Sequence, residues 1–332
     1  MVRFMRMYLI LLSILAICIS GCLKDANRVN PLDPKSDKYK GQGYISGYVT
    51  SYYPPHIGIM DVELKIIPCY QGAITNSEGF YQIHRIPCSQ YTLIASKPGY
   101  APDSTLIQVE IGVETSYDFK LDALPVLTNP KVNSGHISRW FPRPYDLFYI
   151  EFQVEVTDPD GANDISLVTV YSDELELNDT LSFSSETNFY YSMIETNIID
   201  QNNPGALIGK QILFSAKDKP GNQNISLPIQ LLQIIHDTPE TISPAGLQTV
   251  NSTPQLIWKA MNPVFLYNYR IEINRTDIPI PMMVWSQENI AATDTTIIVS
   301  DSLETGKYYW TVTIVDEFDN FSRSKEAPFQ IQ

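Results

Sequence analysis

The stretch Ile45-Ser46-Gly47-Tyr48-Val49 places residues 45, 47 and 49 on one side of an extended chain and residues 46 and 48 on the other. Short alternating runs separated by turns are typical of half-buried antiparallel strands, and they predict an all-β fold of tandem antiparallel β-sandwich domains. The same period of two recurs in runs further along the chain: Val62-Glu63-Leu64, Tyr81-Gln82-Ile83, Tyr91-Thr92-Leu93 and Ile107-Gln108-Val109.

Three further motifs follow this stretch: Thr75-Asn76-Ser77-Glu78-Gly79-Phe80-Tyr81-Gln82-Ile83, then Ile86-Pro87, then Gly99-Tyr100. Their spacing and turn glycines resemble the carboxypeptidase regulatory-like domain, and the resemblance implies a transthyretin-type sandwich over residues 43–123. Cys88-Ser89 departs from the family, which usually has a Pro-Gly turn there. Because this module is an accessory domain of carboxypeptidases, the resemblance implies no peptidase activity.

The next part of the chain follows a proline-bearing stretch at residues 124–130. Its strand-like runs are separated by the turn sequences Asp158-Pro159-Asp160-Gly161 and Asp218-Lys219-Pro220-Gly221-Asn222. Turn chemistry of this kind at intervals predicts a second sandwich. Residues 124–237 accordingly resemble a generic immunoglobulin-like domain.

Residues 238–332 resemble the bacterial fibronectin type III domain, through Pro254-Gln255-Leu256-Ile257-Trp258 and the tyrosine-rich run 303–312. The resemblance implies that Trp258 is the core tryptophan and that the hydroxyl of Tyr308 bonds back to the chain. This domain also ends like the one before it: Asp218 precedes Asn222 by four residues, and Asp316 precedes Asn320 by four. The echo predicts the same final hairpin turn in both domains.

The N-terminus has two arginines followed by a short apolar run, which is typical of a secretory signal over residues 1–21 and too short to span a membrane. Ile19-Ser20-Gly21-Cys22 resembles the lipobox of bacterial lipoproteins, which implies cleavage before Cys22, acyl chains on that residue and membrane anchoring. The alternative is an ordinary secreted protein. Leu23 is not the aspartate that marks inner-membrane retention, which favours the outer membrane. Residues 22–42 are polar and proline-broken, and we expect a flexible tether.

The net charge of the chain argues against nucleic acid as a partner, and its cysteines predict a disulfide. The chain carries a net charge of −14, and loss of residues 1–21 makes it two units more negative, so nucleic acid is not an expected partner. After export only Cys69 and Cys88 remain free to react, and an exported pair predicts a disulfide. The alternative is two separate small apolar residues.

Motifs for catalysis are missing from the sequence. The four histidines are scattered without zinc-ligand spacing, and neither a Gly-x-Ser-x-Gly elbow nor a phosphate-binding loop is present. We therefore predict that the protein is not an enzyme and has no cofactor, apart from one candidate calcium site. Asp158, Asp160 and Asp164 supply hard oxygen ligands suited to Ca²⁺, although an aspartate-rich turn that bonds its own backbone is the alternative.

Trp140 and Phe141 are the aromatic candidates for binding, because flanking arginines and prolines place them in a predicted loop. Core or interdomain packing is the alternative. The sequence as a whole predicts a non-catalytic lipoprotein of the bacterial cell envelope whose sandwiches bind protein or glycan or act as spacers. A glycan-binding component of a surface polysaccharide-capture system is the second hypothesis, and an enzyme is the third. Whether the domains face the periplasm or the outside is left open.

Overall fold

The computed structural model describes residues 33, 35–36, 41–140, 145–196 and 204–332. The predicted signal peptide, Cys22, most of the tether and Phe141 lie outside the described residues. Within the described ranges, no helix is long and apolar enough to cross a membrane.

Almost all regular structure is strand, which confirms the all-β prediction. The strands up to Ala123 are β1 (Gln42–Ser51), β2 (Glu63–Ile67), β3 (Gln71–Ile74), β4 (Phe80–Pro87), β5 (Gln90–Ser96), β6 (Asp103–Gln108), β7 (Glu114–Ser116) and β8 (Phe119–Leu121). The strands of the middle region are β9 (Val126–Arg139), β10 (Tyr145–Thr157), β11 (Ile165–Ser172), β12 (Leu177–Thr180), β13 (Ser182–Ser184), β14 (Phe189–Glu195), β15 (Leu213–Asp218) and β16 (Gln223–Ile225). The strands of the last region are β17 (Thr241–Ser243), β18 (Gln248–Val250), β19 (Gln255–Trp258), β20 (Tyr267–Arg275), β21 (Met282–Ala291), β22 (Thr296–Ile298), β23 (Gly306–Asp316), β24 (Phe321–Arg323) and β25 (Ala327–Ile331). Short 3₁₀ helices occur in the middle region at Ala162–Asp164, Asp173–Leu175 and Pro204–Leu207.

The chain divides after Ala123 into two compact units. The first unit has one sheet with the order β4-β1-β7, in which β8 also pairs with β1, and a second sheet with the order β3-β2-β5-β6. The alternating residues Ile45 and Val49 of β1 share one core with Leu64 and Leu93 of the other sheet. The period of two therefore corresponds to the core-facing side of β1, as the opening stretch predicts. Ser46 on the opposite side is buried as well, and its hydroxyl donates to a carboxylate oxygen of Glu114.

The first unit is not purely antiparallel, because β1 pairs in parallel with both β7 and β8. Parallel neighbours need a long crossover, and here the whole second sheet lies between β1 and β7 in the chain. Gly47 permits the close approach of the returning segment, since a Cβ at this position would collide with the carbonyl oxygen of Tyr117.

The second unit, Leu124–Gln332, holds two sandwiches with separate cores. In the first of these, strands β13-β14-β10-β9 and β12-β11-β15-β16 form the two layers around Phe152, Val170 and Phe214. In the other, the sheet β17-β19-β22 shares its core with strands β20, β21, β23 and β25. Trp258 is fully buried in that core beside Tyr269, as the resemblance implies, and Trp310 is fully buried in the same core.

One sheet of ten strands runs through both sandwiches of the second unit, because β9 and β24 pair in parallel. Phe321, Ser322 and Arg323 lie opposite Gly135, His136 and Ile137. The predicted boundary between residues 237 and 238 therefore falls inside one compact unit, and the two sandwiches are joined by backbone hydrogen bonds.

Candidate functional site

Residues 158–164, here called the aspartate loop, connect β10 to β11. The backbone N–H of Asp160 donates to Oδ1 of Asp158 at 2.8 Å, and that of Gly161 donates to the carbonyl oxygen of Asp158 at 2.9 Å. The backbone N–H of Asp164 in turn bonds the carbonyl oxygen of Gly161 at 2.9 Å. Aspartates thus shape this turn, as expected of an aspartate-rich turn. Asp158 and Asp164 are nevertheless buried, with 8% and 5% of their surfaces exposed.

A fourth carboxyl belongs to the same cluster, and sequence reasoning missed it. Asp218 ends β15, where it lies opposite Ile165 of β11, and the backbone N–H of Lys219 donates to the carbonyl oxygen of Asp164 at 2.8 Å. A carboxylate oxygen of Asp160 and one of Asp164 lie within 4.8 Å of each other. Burial, helped by the nearby Asp164, Asp160 and Asp218, raises the pKa of Asp158 to about 6, although the hydrogen bond from the backbone N–H of Asp160 acts in the opposite direction. The three predicted ligands and Asp218 are therefore electrostatic neighbours.

Asp218 also shapes the first of the two final hairpin turns. Its backbone N–H donates to the carbonyl oxygen of Asn222 at 3.0 Å, and its Oδ1 accepts from the N–H groups of Gly221 and Asn222 at 2.7 and 2.6 Å. In the second turn the N–H of Asp316 donates to Asn320 at 2.9 Å, and its Oδ1 accepts from Phe318 and Asn320. The predicted repetition of one turn is confirmed.

The second carboxylate oxygen distinguishes the two turns. Oδ2 of Asp316 accepts from Nδ2 of Asn320 at 2.9 Å and from Nε2 of Gln233 at 3.1 Å. The corresponding Oδ2 of Asp218 is buried and accepts no hydrogen bond, and the same holds for Oδ2 of Asp158. The first turn thus leaves a bare, buried oxygen on Asp218, at the strand end that pairs with Ile165 directly after the aspartate loop.

Trp140 lies at the end of β9 and is 57% exposed, which places it outside the core. Its backbone N–H donates to a carboxylate oxygen of Glu326 at 2.8 Å, and Nζ of Lys325 lies 4.0 Å from the centre of its ring. A groove of about 750 Å³ begins at Trp140 and is lined by residues of both sandwiches of the second unit, including Asp146, Glu240 and Glu326.

Cys69 and Cys88 are free thiols in the structure, so the expected disulfide is not formed there. Cys69 lies between β2 and β3 and packs against the core of the first unit, which is the alternative role of a small apolar residue. Cys88 lies between β4 and β5, and burial, with Glu110, raises the pKa of its thiol. The pKa of the Tyr91 hydroxyl is raised, first by burial and then by the two nearby thiols. The hydroxyl of Tyr91 donates to the carbonyl oxygen of Pro87, the residue before Cys88, and Cys69 packs against the core that contains Tyr91.

His136 lies between Ser322 and Asp146, in the order of a nucleophile, a base and an acid. Its Nδ1 is 3.2 Å from Oγ of Ser322, and its Nε2 is 3.9 Å from Oδ1 of Asp146. The same Nδ1 also lies 3.2 Å from the carbonyl oxygen of Ile235, which can only accept. In the tautomer that satisfies this carbonyl oxygen, Nδ1 carries the proton and cannot take one from Ser322. Both Ser322 and His136 are buried, and His136 stacks on Phe148, so this group packs the sandwiches together.

Comparison with known proteins finds structural likeness alone: no family model matches the chain, and no curated protein matches it. The FN1–FN3 domains of chicken CNTN1 match 83% of this chain and 92% of theirs, with 12% identity and a TM-score of 0.31. The fibronectin(III)-like modules of Clostridium thermocellum CbhA match 63% and 94%, with 14% identity and a TM-score of 0.28. A type II cohesin–X-dockerin complex from Acetivibrio cellulolyticus matches 24% of this chain, with 18% identity and a TM-score of 0.22, and the chain spans 58% of that protein's length.

Proposed function

We propose that the chain is a non-catalytic, lipid-anchored protein that presents β-sandwich domains for binding or spacing at the bacterial cell envelope. The observation that carries the proposal is the sheet shared by β9 and β24, which holds two sandwiches in one fixed orientation. Domains within a chain otherwise move relative to each other unless a large interface joins them. A rigid pair of sandwiches suits a spacer or a scaffold that holds a binding surface away from the membrane.

The chemistry of the described residues supports a non-catalytic role. Ser322 and His136 are buried and Asp146 is more than half exposed. When Nδ1 of His136 donates to the carbonyl oxygen of Ile235, it cannot serve Ser322 as a base. His56 contacts the carbonyl oxygen of Ser51, and His84 lies beside the ring of Tyr44. Each of these contacts satisfies or covers a neighbouring group, which is the part a histidine plays in packing.

The lipid anchor rests on Ser20-Gly21-Cys22 and is tested by detergent-phase partitioning combined with the mass of the N-terminal peptide. The wild-type protein should enter the detergent phase with acyl chains on Cys22. Cys22→Ala should stay unprocessed or leave the membrane, whereas Cys18→Ala is the matched control and should be processed normally, because residue 18 is removed with the signal. An unmodified Cys22 at the mature N-terminus would overturn the proposal. Separation of inner and outer membranes in the same cells tests the proposed outer-membrane location.

Glycan binding is a second candidate function, and the groove at Trp140 favours it. An exposed indole offers a flat surface to a sugar ring, and carboxylates of Asp146, Glu240 and Glu326 lie in the same groove to accept bonds from hydroxyl groups. Lys325 already covers part of the indole, so a sugar would use the remaining surface.

A pull-down with insoluble polysaccharides tests this second candidate. Trp140→Ala should reduce the bound fraction at least tenfold, because stacking would be lost. Tyr70→Ala is the control, since Tyr70 is 86% exposed but belongs to the first unit. Equal retention of Trp140→Ala and wild type would exclude the groove as a glycan site.

A further inference from the structure

The two final hairpin turns provide an internal comparison that points to a ligand. Both turns use an aspartate whose Oδ1 caps backbone N–H groups, and only the second turn supplies donors for Oδ2. A buried carboxylate oxygen without a hydrogen bond is costly, because the group has lost its water and gained nothing in return. Asp218 has 1% of its surface exposed, so bulk solvent does not reach its bare Oδ2.

The same cost arises at Asp158, where Oδ2 is also buried without a donor. In the part of the chain that the structure describes, neither Asp158 nor Asp218 forms an ion pair with a lysine, arginine or histidine. Asp160 and Asp164 bring further negative charge to the same place. A positive charge held by these two bare oxygens, which come from separate segments, would offset the repulsion among the carboxyl groups.

We propose that Asp158, Asp160, Asp164 and Asp218 form a binding site for a calcium-like divalent cation in the second sandwich. The ligands are all hard oxygens, which suit Ca²⁺ rather than the nitrogen and sulfur preferences of Zn²⁺. Ca²⁺ takes six to eight oxygens at flexible positions, so four carboxylates, one or more of them bidentate, and water complete its shell. The irregular loop and the strand end favour Ca²⁺ over Mg²⁺, which demands near-ideal octahedral geometry.

The cation has a structural role in this arrangement. The aspartate loop precedes β11 and Asp218 ends its partner β15, so the ion fastens a loop to the hairpin at one end of a sheet. Binding to the folded state alone raises stability in proportion to the logarithm of the cation concentration. The site is independent of the proposed envelope function and of the groove at Trp140.

Calorimetric titration of the full chain in detergent, after removal of metals with a chelator, tests the site with CaCl₂ and separately with MgCl₂. Wild type should bind one Ca²⁺ and unfold at a higher temperature with Ca²⁺ than with chelator, and Mg²⁺ should bind at least tenfold more weakly. Asp218→Asn should weaken Ca²⁺ binding at least tenfold, yet fold as well as wild type without calcium, because it retains Oδ1 and removes a buried charge. The half-exposed Asp160→Asn gives a second loss with little risk to folding.

Asp316→Asn is the matched control in the twin turn. This variant should unfold at a lower temperature, because an amide nitrogen replaces Oδ2 and cannot accept the bonds from Asn320 and Gln233. It should bind Ca²⁺ within twofold of wild type. The proposal is overturned if wild type shows neither binding heat nor a shift in unfolding temperature at millimolar Ca²⁺. Unchanged Ca²⁺ affinity in both Asp218→Asn and Asp160→Asn would also overturn it.

Discussion

Ser134 of the second sandwich donates its backbone N–H to Oδ1 of Asn320 in the third at 2.8 Å, and both residues are buried. Nδ2 of Asn320 then donates to Oδ2 of Asp316 at 2.9 Å, and Nε2 of Gln233 reaches the same oxygen at 3.1 Å. Asn320 is thus a single amide that satisfies groups on both sandwiches. The final hairpin turn of the third sandwich, which began as a sequence echo, is a structural element of the joint.

Asn320→Ala should destabilise the second unit by about 3 kcal/mol, because it leaves the N–H of Ser134 and part of Asp316 buried without partners. Urea unfolding followed by tryptophan fluorescence measures the change. Asn268→Ala is the control, since Asn268 is exposed on β20 and should change stability by less than about 0.5 kcal/mol. Equal stability of the two variants would mean that the joint does not depend on Asn320.

Tyr308→Phe tests the predicted corner tyrosine, which the structure confirms. Its hydroxyl donates to the carbonyl oxygen of Glu304 at 2.7 Å, and the ring is buried against Phe329. Loss of one hydrogen bond should cost about 1 kcal/mol in the free energy of unfolding. The neighbouring Tyr309→Phe is the control, since the side chain of Tyr309 alternates to the other face. A smaller loss in Tyr308→Phe than in Tyr309→Phe would contradict the assignment.

His136 should make stability fall in mild acid. Burial lowers the pKa of its imidazole below the usual 6.5, although Asp146 and the carbonyl oxygen of Ile235 act in the opposite direction. The unfolded chain therefore takes up a proton at a higher pH than the folded chain, and folding loses stability as pH falls below about 6.5. Asp158 acts oppositely in this range, because its raised pKa lets the folded chain bind a proton first.

Comparison of wild type with His136→Gln separates the two effects, because glutamine is polar but does not titrate. Between pH 7.5 and pH 5.5, the wild type should lose more free energy of unfolding than the variant does. Chemical unfolding across this range measures it, with His56→Gln as an exposed control that should follow wild type. A difference that stays constant with pH would show that His136 does not resist protonation.

The sequence predicts those features of the fold that depend on residues close together in the chain, such as strands and turns. The alternation in Ile45-Ser46-Gly47-Tyr48-Val49 reports one buried face, so β1 and its core residues could be recognised without knowledge of the partners. The four-residue spacing from Asp218 to Asn222, and from Asp316 to Asn320, likewise indicates a turn whose hydrogen bonds lie within five residues. Each of these signals depends on atoms that are neighbours in sequence.

The joint and the fourth carboxylate could not be predicted, because both depend on long-range pairing. Ser134 and His136 are polar and alternate with Gly135, so nothing local indicates that they are buried against β24. Asp218 joins the aspartate loop only because β15 pairs with β11, and sequence reasoning grouped the carboxylates by their proximity in the chain. Comparison with Asp316, which occupies the same position in the other hairpin turn, could have drawn attention to Asp218. The turn at Asp316 does not adjoin the aspartate loop.

Cys69 and Cys88 should join in a disulfide when the protein is exported to an oxidising compartment. Cys69 packs against the core that contains Tyr91, and the Tyr91 hydroxyl bonds the carbonyl oxygen next to Cys88. No third cysteine competes if Cys22 is acylated. The bridge would close a loop of about 20 residues and, on the chain-entropy model, stabilise the first unit by roughly 3 kcal/mol. Peptide mapping without reductant, after alkylation of free thiols, should find the two peptides linked. Cys69→Ser should then lose the link and about the same stability as reduction of wild type, whereas two alkylated cysteines in the exported protein would show that Cys69 acts as an apolar residue alone.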